Sequence, residues 1–392
     1  MYNFTLHTPE GVRDIYGDEL LKKNEIGEKL HKKVNSFGFR DISTPTFEFF
    51  DIFSGDIGTT PSREIFKFFD KENNTLALRP DFTPSVARAA VKYFEEELPI
   101  RLCYMGNTFS NRSDLQGKLK EVTELGAEYM GDPSVEADAE MIKLAVELLD
   151  AAGLQDYRIC IGNAQFFLGI CEEGKIGEKE RSLLTGYILD KNYFGMEDIL
   201  NELNLSPEVR LTLNSLSSYV GNADILEEAL LHVSNARSRE AVERLKDLND
   251  ALKIYGIDQM VSYDLGMMSR HNYYTGILFR TFTFGTGDAI VRGGRYDNLL
   301  MKFGKPKAAI GFTVVIDQVM ETLRHQKIDI EIPDDGVLIV YESASFEEAV
   351  RLAGEKRAQG KVAELLQRTP ELKREAYEAH ARAVHAGEVI YL

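Results

Sequence analysis

"MGNTFSNRSDLQGKLKEVTELGAE", residues 105–128, is the stretch on which the fold turns. The overlapping run Arg101–Arg112 has the pattern of a strand, a small turn and a second strand. From Leu115 to Gly131 the chain again reads as a strand, with charges projecting from alternate residues. By the two-residue period of a strand, Glu124, Gly126 and Glu128 share one face. A glycine between two acids leaves open space above the sheet, as expected where a small ligand lies on it. Carboxylates around such a space attract an ammonium group and a protonatable ring. Solvated acids on an ordinary strand are the competing reading.

Three further stretches place polar groups at strand ends. "LRPDFT" carries Asp81 and Thr83, "HNYYTG" carries Tyr273 and Tyr274, and "VRGGRYDNL" carries Arg292 and Arg295. Glu121 stands at the start of the acidic strand. Taken singly, the tyrosines suit a core or rim, the glycines a tight bend, and Arg295 a structural ion pair. Their joint appearance, in this order, favours a site.

The surroundings suit an α+β domain. Leu21, Ile26, Leu30 and Val34 fall on one helical face within Asp18–Phe37. "TLALRPDFTPSVARAAVKYF" reads as strand, turn and helix, with Thr83 and Ser85 as natural caps. "SVEADAEMIKLAVELLDAAGL" is an amphipathic helix closed by Gly153. Helical periodicity dominates from about 169 to 256, the mark of an inserted helical subdomain. Strands return in "QMVSYDLGMM", "GILFRTFTFG" and "AIVRGG", a helix is expected from about Tyr296, and "AAIGFTVVIDQVMETL" is a strand running into a helix. After a linker-like stretch, a short C-terminal domain at 334–392 opens with the strand "VLIVYE" and continues as charged helices. Strands joined by hairpins without βαβ alternation predict a largely antiparallel sheet flanked by helices. No GxGxxG or Walker sequence is present.

Composition narrows the function. A formal net charge of -17 and a pI near 5.0 argue against a protein built to grip phosphate backbones. No apolar run approaches the roughly 20 residues of a membrane span, and "MYNFTLHTPEG" lacks a secretory pattern. A cytoplasmic protein is expected. Cys103, Cys160 and Cys171 show no ligand spacing, so neither a disulfide framework nor a metal site is signalled. Cys103 and Cys160 suit small buried hydrophobes.

In order and in sequence, these stretches resemble the catalytic core of histidyl-tRNA synthetase, a class II aminoacyl-tRNA synthetase. The resemblance covers about residues 1–325. "GFRDISTPTFE" matches the first class II motif, "LALRPDFTPSVARA" the amino-acid loop, and "MGNTFSNRSDLQGKLKEVTELGAE" the second motif. "NYYTGILFRTFTFGTGDAIVRGGRYDNL" matches the histidine-specific region and "AIGFTVVIDQV" the third motif. The implied fold is an antiparallel sheet flanked by helices, with a helical insertion and a dimer built around the first motif. The resemblance assigns Asp81, Thr83 and Glu124 to an α-amino group, with Glu124 replacing a glutamine. It assigns Glu128 and Tyr274 to an imidazole, and Tyr273 lies beside them. Together these six are the expected histidine-binding residues.

Three positions depart from that family. Its second-motif arginine falls on Ser110, the arginine before its histidine-specific element on Ser269, and its third-motif arginine on Gln318. Arg270 is adjacent to Ser269, but a one-residue shift on a strand points it to the other face. Removing one such donor costs on the order of a hundred- to a thousand-fold in rate, so adenylation is not expected and no catalytic residue, cofactor or metal is assigned. The tail is shorter than the family's anticodon-binding domain, which argues against tRNA.

This combination is similar to the regulatory subunits of ATP phosphoribosyltransferase. That resemblance implies a non-catalytic protein of histidine biosynthesis. Such a subunit activates a short catalytic subunit in a hetero-octamer and transmits feedback inhibition by histidine. An amino-acid-binding module with another protein partner is the alternative.

Overall fold

The computed structural model describes residues 6–54, 60–95, 97–112, 119–269, 274–284 and 287–392. The chain forms two compact units, one of Met1–Ile15 with Ile26–Ile328 and one of Tyr16–Glu25 with Asp329–Leu392. Arg270 and Tyr273 lie outside the described residues.

The larger unit is organised by a nine-stranded sheet. From one edge its order is Arg40–Asp41, Ile100–Phe109, Glu121–Met130, Ala309–Val315, Val291–Arg295, Ile277–Thr283, Tyr157–Asn163, Val261–Asp264 and Val220–Gly221. The first and seventh pairings are parallel and the others antiparallel, so the sheet is mixed but largely antiparallel as the hairpin pattern predicts. One face carries the helix Val135–Ala152, whose Ser134 side chain accepts from Ala137 N. Gly153, at a φ of 87°, closes it in the left-handed conformation that favours glycine. Helices from Ala164–Glu173 to Ala236–Ile254 form the expected helical insertion, interrupted by the two-residue strand Val220–Gly221. The helix expected from Tyr296 shrinks to Leu299–Lys302.

Two local expectations fail. Thr83 and Ser85 do not cap the helix Thr83–Tyr93: Phe82 is its cap residue and makes no side-chain cap bond, while the Thr83 N–H donates to Asp81 Oδ1. The Thr83 hydroxyl is instead spent on Glu128. Leu21, placed on the apolar face of Gly17–Ser36, is 42% exposed, whereas Ile26, Leu30 and Val34 are buried.

The smaller unit contains a three-stranded parallel sheet in the order Ala363–Gln367, Val337–Tyr341, Glu388–Tyr391. Val337 and Ile339 pack with Ala349 and Ala353 of one helix; Leu338 and Val340 pack with Tyr377 and Ala381 of another. A central strand apolar on both faces is what a parallel sheet covered on both sides demands. The two outer strands were not foreseen from the sequence, because each is only half-buried and shows no period-two contrast.

Candidate functional site

Across the middle of the sheet, register brings residues from distant segments into rows. One row runs Leu278, Gly294, Gly311, Glu128; the next runs Arg280, Arg292, Thr313, Gly126, Tyr104. Leu278, Gly311, Glu128, Arg280, Arg292 and Thr313 of these rows line a cavity of about 860 Å³, together with Asp81, Thr83, Glu124, Ser269 and Tyr274 among others. Its size lies within the roughly 300–1,000 Å³ of small-molecule sites. Five of the six expected ligand-binding residues thus meet around one space; Tyr273 is the sixth.

Glu128 is 1% exposed and held by three hydroxyls. Thr83 Oγ1 donates to its Oε1 at 2.8 Å, Tyr104 OH donates to the same oxygen at 3.2 Å, and Tyr296 OH donates to Oε2. Thr83 is fixed in turn by its backbone N–H, which donates to Asp81 Oδ1 at 2.9 Å. Burial pushes the Glu128 carboxyl up to about 8, and nearby Asp81 adds to the shift while the three hydroxyls oppose it. Glu124 is likewise raised to about 8, first by burial and then by Asp81, with Arg292 partly offsetting both. Burial, together with Asp81 and Glu128, raises the Tyr274 phenol to about 12. The result is an acid-lined pocket in which burial makes Glu124 and Glu128 give up their protons less readily than exposed carboxyls do.

The glycines have a different role from the one expected at Gly126. No open ligand space lies above it: a Cβ there would fall 2.2 Å from the Tyr104 ring, which fills the position. Tyr104 stacks on Phe82 with centroids 4.3 Å apart, and both are buried. At Gly294 a Cβ would lie 2.6 Å from the Tyr274 ring. Glycine therefore lets Tyr104 and Tyr274 lie flat against the sheet.

Other polar residues sort into support. Glu121 accepts from Asn107 Nδ2 at 2.6 Å and does not line the cavity. Arg79 donates to the carbonyls of Thr44 and Asn107 and lies over Phe82, 4.0 Å from its centroid. Arg295 is the structural ion pair that its sequence context allowed: Nε and Nη2 donate to Asp138 Oδ1 at 2.9 and 2.5 Å. Outside the cavity, His31, Asp41 and Cys103 present ligand atoms within 4.8 Å of one another, a grouping of three separate elements invisible to cysteine spacing. Burial, reinforced by Asp41, pushes the Cys103 thiol up to about 12.

The three departing positions also differ among themselves. Ser269 is in the cavity wall, while Ser110 and Gln318 are not among its lining residues. Ser110 Oγ and Gln318 Oε1 are both buried without a hydrogen-bond partner among the described residues. Sequence reasoning overlooked other cations here: Arg63, Arg112 and Arg280 line the cavity together with Arg292. Arg112 is paired with Glu64 at 2.6 Å. The alternation Leu278, Arg280, Phe282 was the available signal for Arg280, since all three face the cavity.

Known proteins share this architecture. The family model for histidyl-tRNA synthetase matches residues 11–319. The ATP phosphoribosyltransferase regulatory subunit of Ruminiclostridium cellulolyticum is 38% identical over 92% of this chain and 86% of its own. That of Acetivibrio thermocellus is 36% identical over 93% and 88%. The crystal structure of an ATP phosphoribosyltransferase regulatory subunit/histidyl-tRNA synthetase from Bacillus halodurans superimposes with a TM-score of 0.88, at 30% identity, over 99% of this chain and 98% of that one. A histidyl-tRNA synthetase from Nostoc, 19% identical, shares the fold with a TM-score of 0.78 over 96% and 89%. With its synthetase-like sheet, its acid-rich cavity and these relatives, the chain belongs to the family of ATP phosphoribosyltransferase regulatory subunits.

Proposed function

We propose that the chain is a non-catalytic cytoplasmic subunit that binds and activates the short catalytic subunit of ATP phosphoribosyltransferase, and that it senses histidine in the cavity on its sheet. The observation carrying this reading is the contrast between what the cavity gathers and what the chain lacks. The carboxylates and hydroxyls suited to an amine and an imidazole converge on the cavity, while serine or glutamine stands at the three positions where the synthetase family has arginine. Asp81, Thr83, Glu124, Glu128, Tyr273 and Tyr274 form the histidine site. Attack on a nucleotide phosphate would require positioned positive charge where Ser110, Ser269 and Gln318 now stand. The subunit self-associates as a class II-like dimer within a hetero-octamer and does not read tRNA. Among the described residues no helix is long and apolar enough to cross a membrane.

Regulation follows from linkage. Histidine and the catalytic subunit each favour some conformations of this chain over others, so each changes the affinity of the other by the same factor. Reconstitution with a short catalytic subunit tests the reading. Activity that rises on mixing, and falls when histidine is added, is the expected outcome. A mixture with no association and no change in activity would leave the chain as an amino-acid-binding module with another partner.

A further inference from the structure

Arg280 and Arg292 are direct cross-strand partners on neighbouring antiparallel strands, and both face the cavity. Like charges placed opposite each other destabilise a sheet, and guanidinium groups remain protonated in proteins. Their neighbours only partly offset this. Arg280 Nη2 donates to the Met268 carbonyl at 2.9 Å, beside Ser269. Arg292 approaches Asp288 at 3.9 Å, with half of its side chain exposed. Burial, and then Arg292, pull the Arg280 guanidinium below its ordinary value, while Tyr274, Asp264 and Cys160 oppose the shift. Two fixed cations therefore stand side by side in a space that Asp81, Glu124 and Glu128 also line, with Arg292 near enough to Glu124 to oppose the rise of its carboxyl.

The polarity runs across the sheet. The strand bearing Glu124 and Glu128 is two places from that of Arg292 and three from that of Arg280. Two strand spacings are roughly 10 Å, the scale of one extended amino acid. A zwitterion lying along this axis meets acids at its amine and arginines at its carboxylate.

We propose that Arg280 and Arg292 form the anion-binding end of the cavity and hold the α-carboxylate of the bound amino acid. The proposal rests on the cavity being the histidine site. It gives the pair a task in specificity: an amine or imidazole lacking a carboxylate brings no anion to the two guanidinium groups.

Calorimetric titration of the full chain with histidine and with histidinol, in which the carboxylate is replaced by a hydroxymethyl group, tests it. Wild type is expected to bind histidine at least about tenfold more tightly than histidinol, the scale of a charge-assisted hydrogen bond. In the Arg280→Gln/Arg292→Gln variant the preference collapses, because histidine affinity falls and histidinol affinity does not. The half-exposed Arg292→Gln single variant gives the same direction if the double variant folds poorly, and thermal unfolding checks both. A preference retained in variants that fold overturns this assignment and leaves the histidine site standing. Wild type that binds no histidine overturns the site and the assignment together.

Discussion

Glu128 occupies the space that a side chain at its cross-strand partner Gly311 would need: a Cβ there would lie 1.7 Å from Glu128 Oε2. The carboxylate has no easy retreat, since hydroxyls from Thr83, Tyr104 and Tyr296 fix both its oxygens. Gly311→Ala is expected to displace it, cost about 1–3 kcal/mol of stability by overpacking, and remove histidine binding. Denaturant unfolding and calorimetry check both effects; a variant with unchanged affinity would show that Glu128 is not a ligand.

The raised carboxyls give a pH dependence of defined sign. A carboxyl whose value rises from 4.5 in the unfolded chain to about 8 in the fold favours folding fully below about 4.5. That contribution is lost as pH climbs towards about 8, at up to about 1.4 kcal/mol per pH unit for one group. Glu128→Gln is therefore expected to gain stability relative to wild type as pH rises from 5 to 8 in the absence of ligand. Urea unfolding at several pH values measures that difference, and parallel curves would contradict the assignment. Histidine, bringing a cation, releases protons from the same groups, so its binding heat should vary with buffer ionisation below pH 8.

Asp138 is the structural counterpart of that site. It is fully buried and accepts from both Arg295 and Arg244. Asp138→Asn keeps the shape but takes the carboxylate from Arg244 and leaves Arg295 with Asp297 alone, 3.3 Å from its Nη1. A loss of about 3–5 kcal/mol is expected, as for breaking a buried pair. Arg244→Gln, altering a partly exposed partner, should cost much less. Equal losses in thermal unfolding would show that the burial difference between the arginines has no energetic weight.

The absence of arginine at 110, 269 and 318 predicts no histidine-dependent exchange of pyrophosphate into ATP above background. Exchange at a rate typical of a synthetase would sink the non-catalytic reading, whatever the chain also does to a catalytic partner.

Much of this site was legible because strand periodicity is local information: Glu124 and Glu128 had to share a face once their segment was a strand. The helix closed by Gly153 and the helical insertion were legible for the same reason. Gly126 was misjudged because its neighbour across the ladder, Tyr104, is set by register rather than by adjacent residues. Arg280 was missed because its meaning depends on Arg292 on the next strand. The grouping of His31, Asp41 and Cys103 likewise needs three elements to be assembled first. The outer strands of the smaller unit were hidden by weak amphipathicity, since half-buried edges carry little pattern.

The pairing of Glu121–Met130 with Ala309–Val315 closes the sheet across the whole helical insertion. Such non-local pairing pays loop-closure entropy before it gains contacts, and it slows folding. During synthesis the cavity floor is incomplete until the strand ending at Val315 has left the ribosome. The acids of one segment then wait, solvated and charged, for a partner strand made much later. Ligand present during refolding should consequently stabilise the finished core without hastening its early steps.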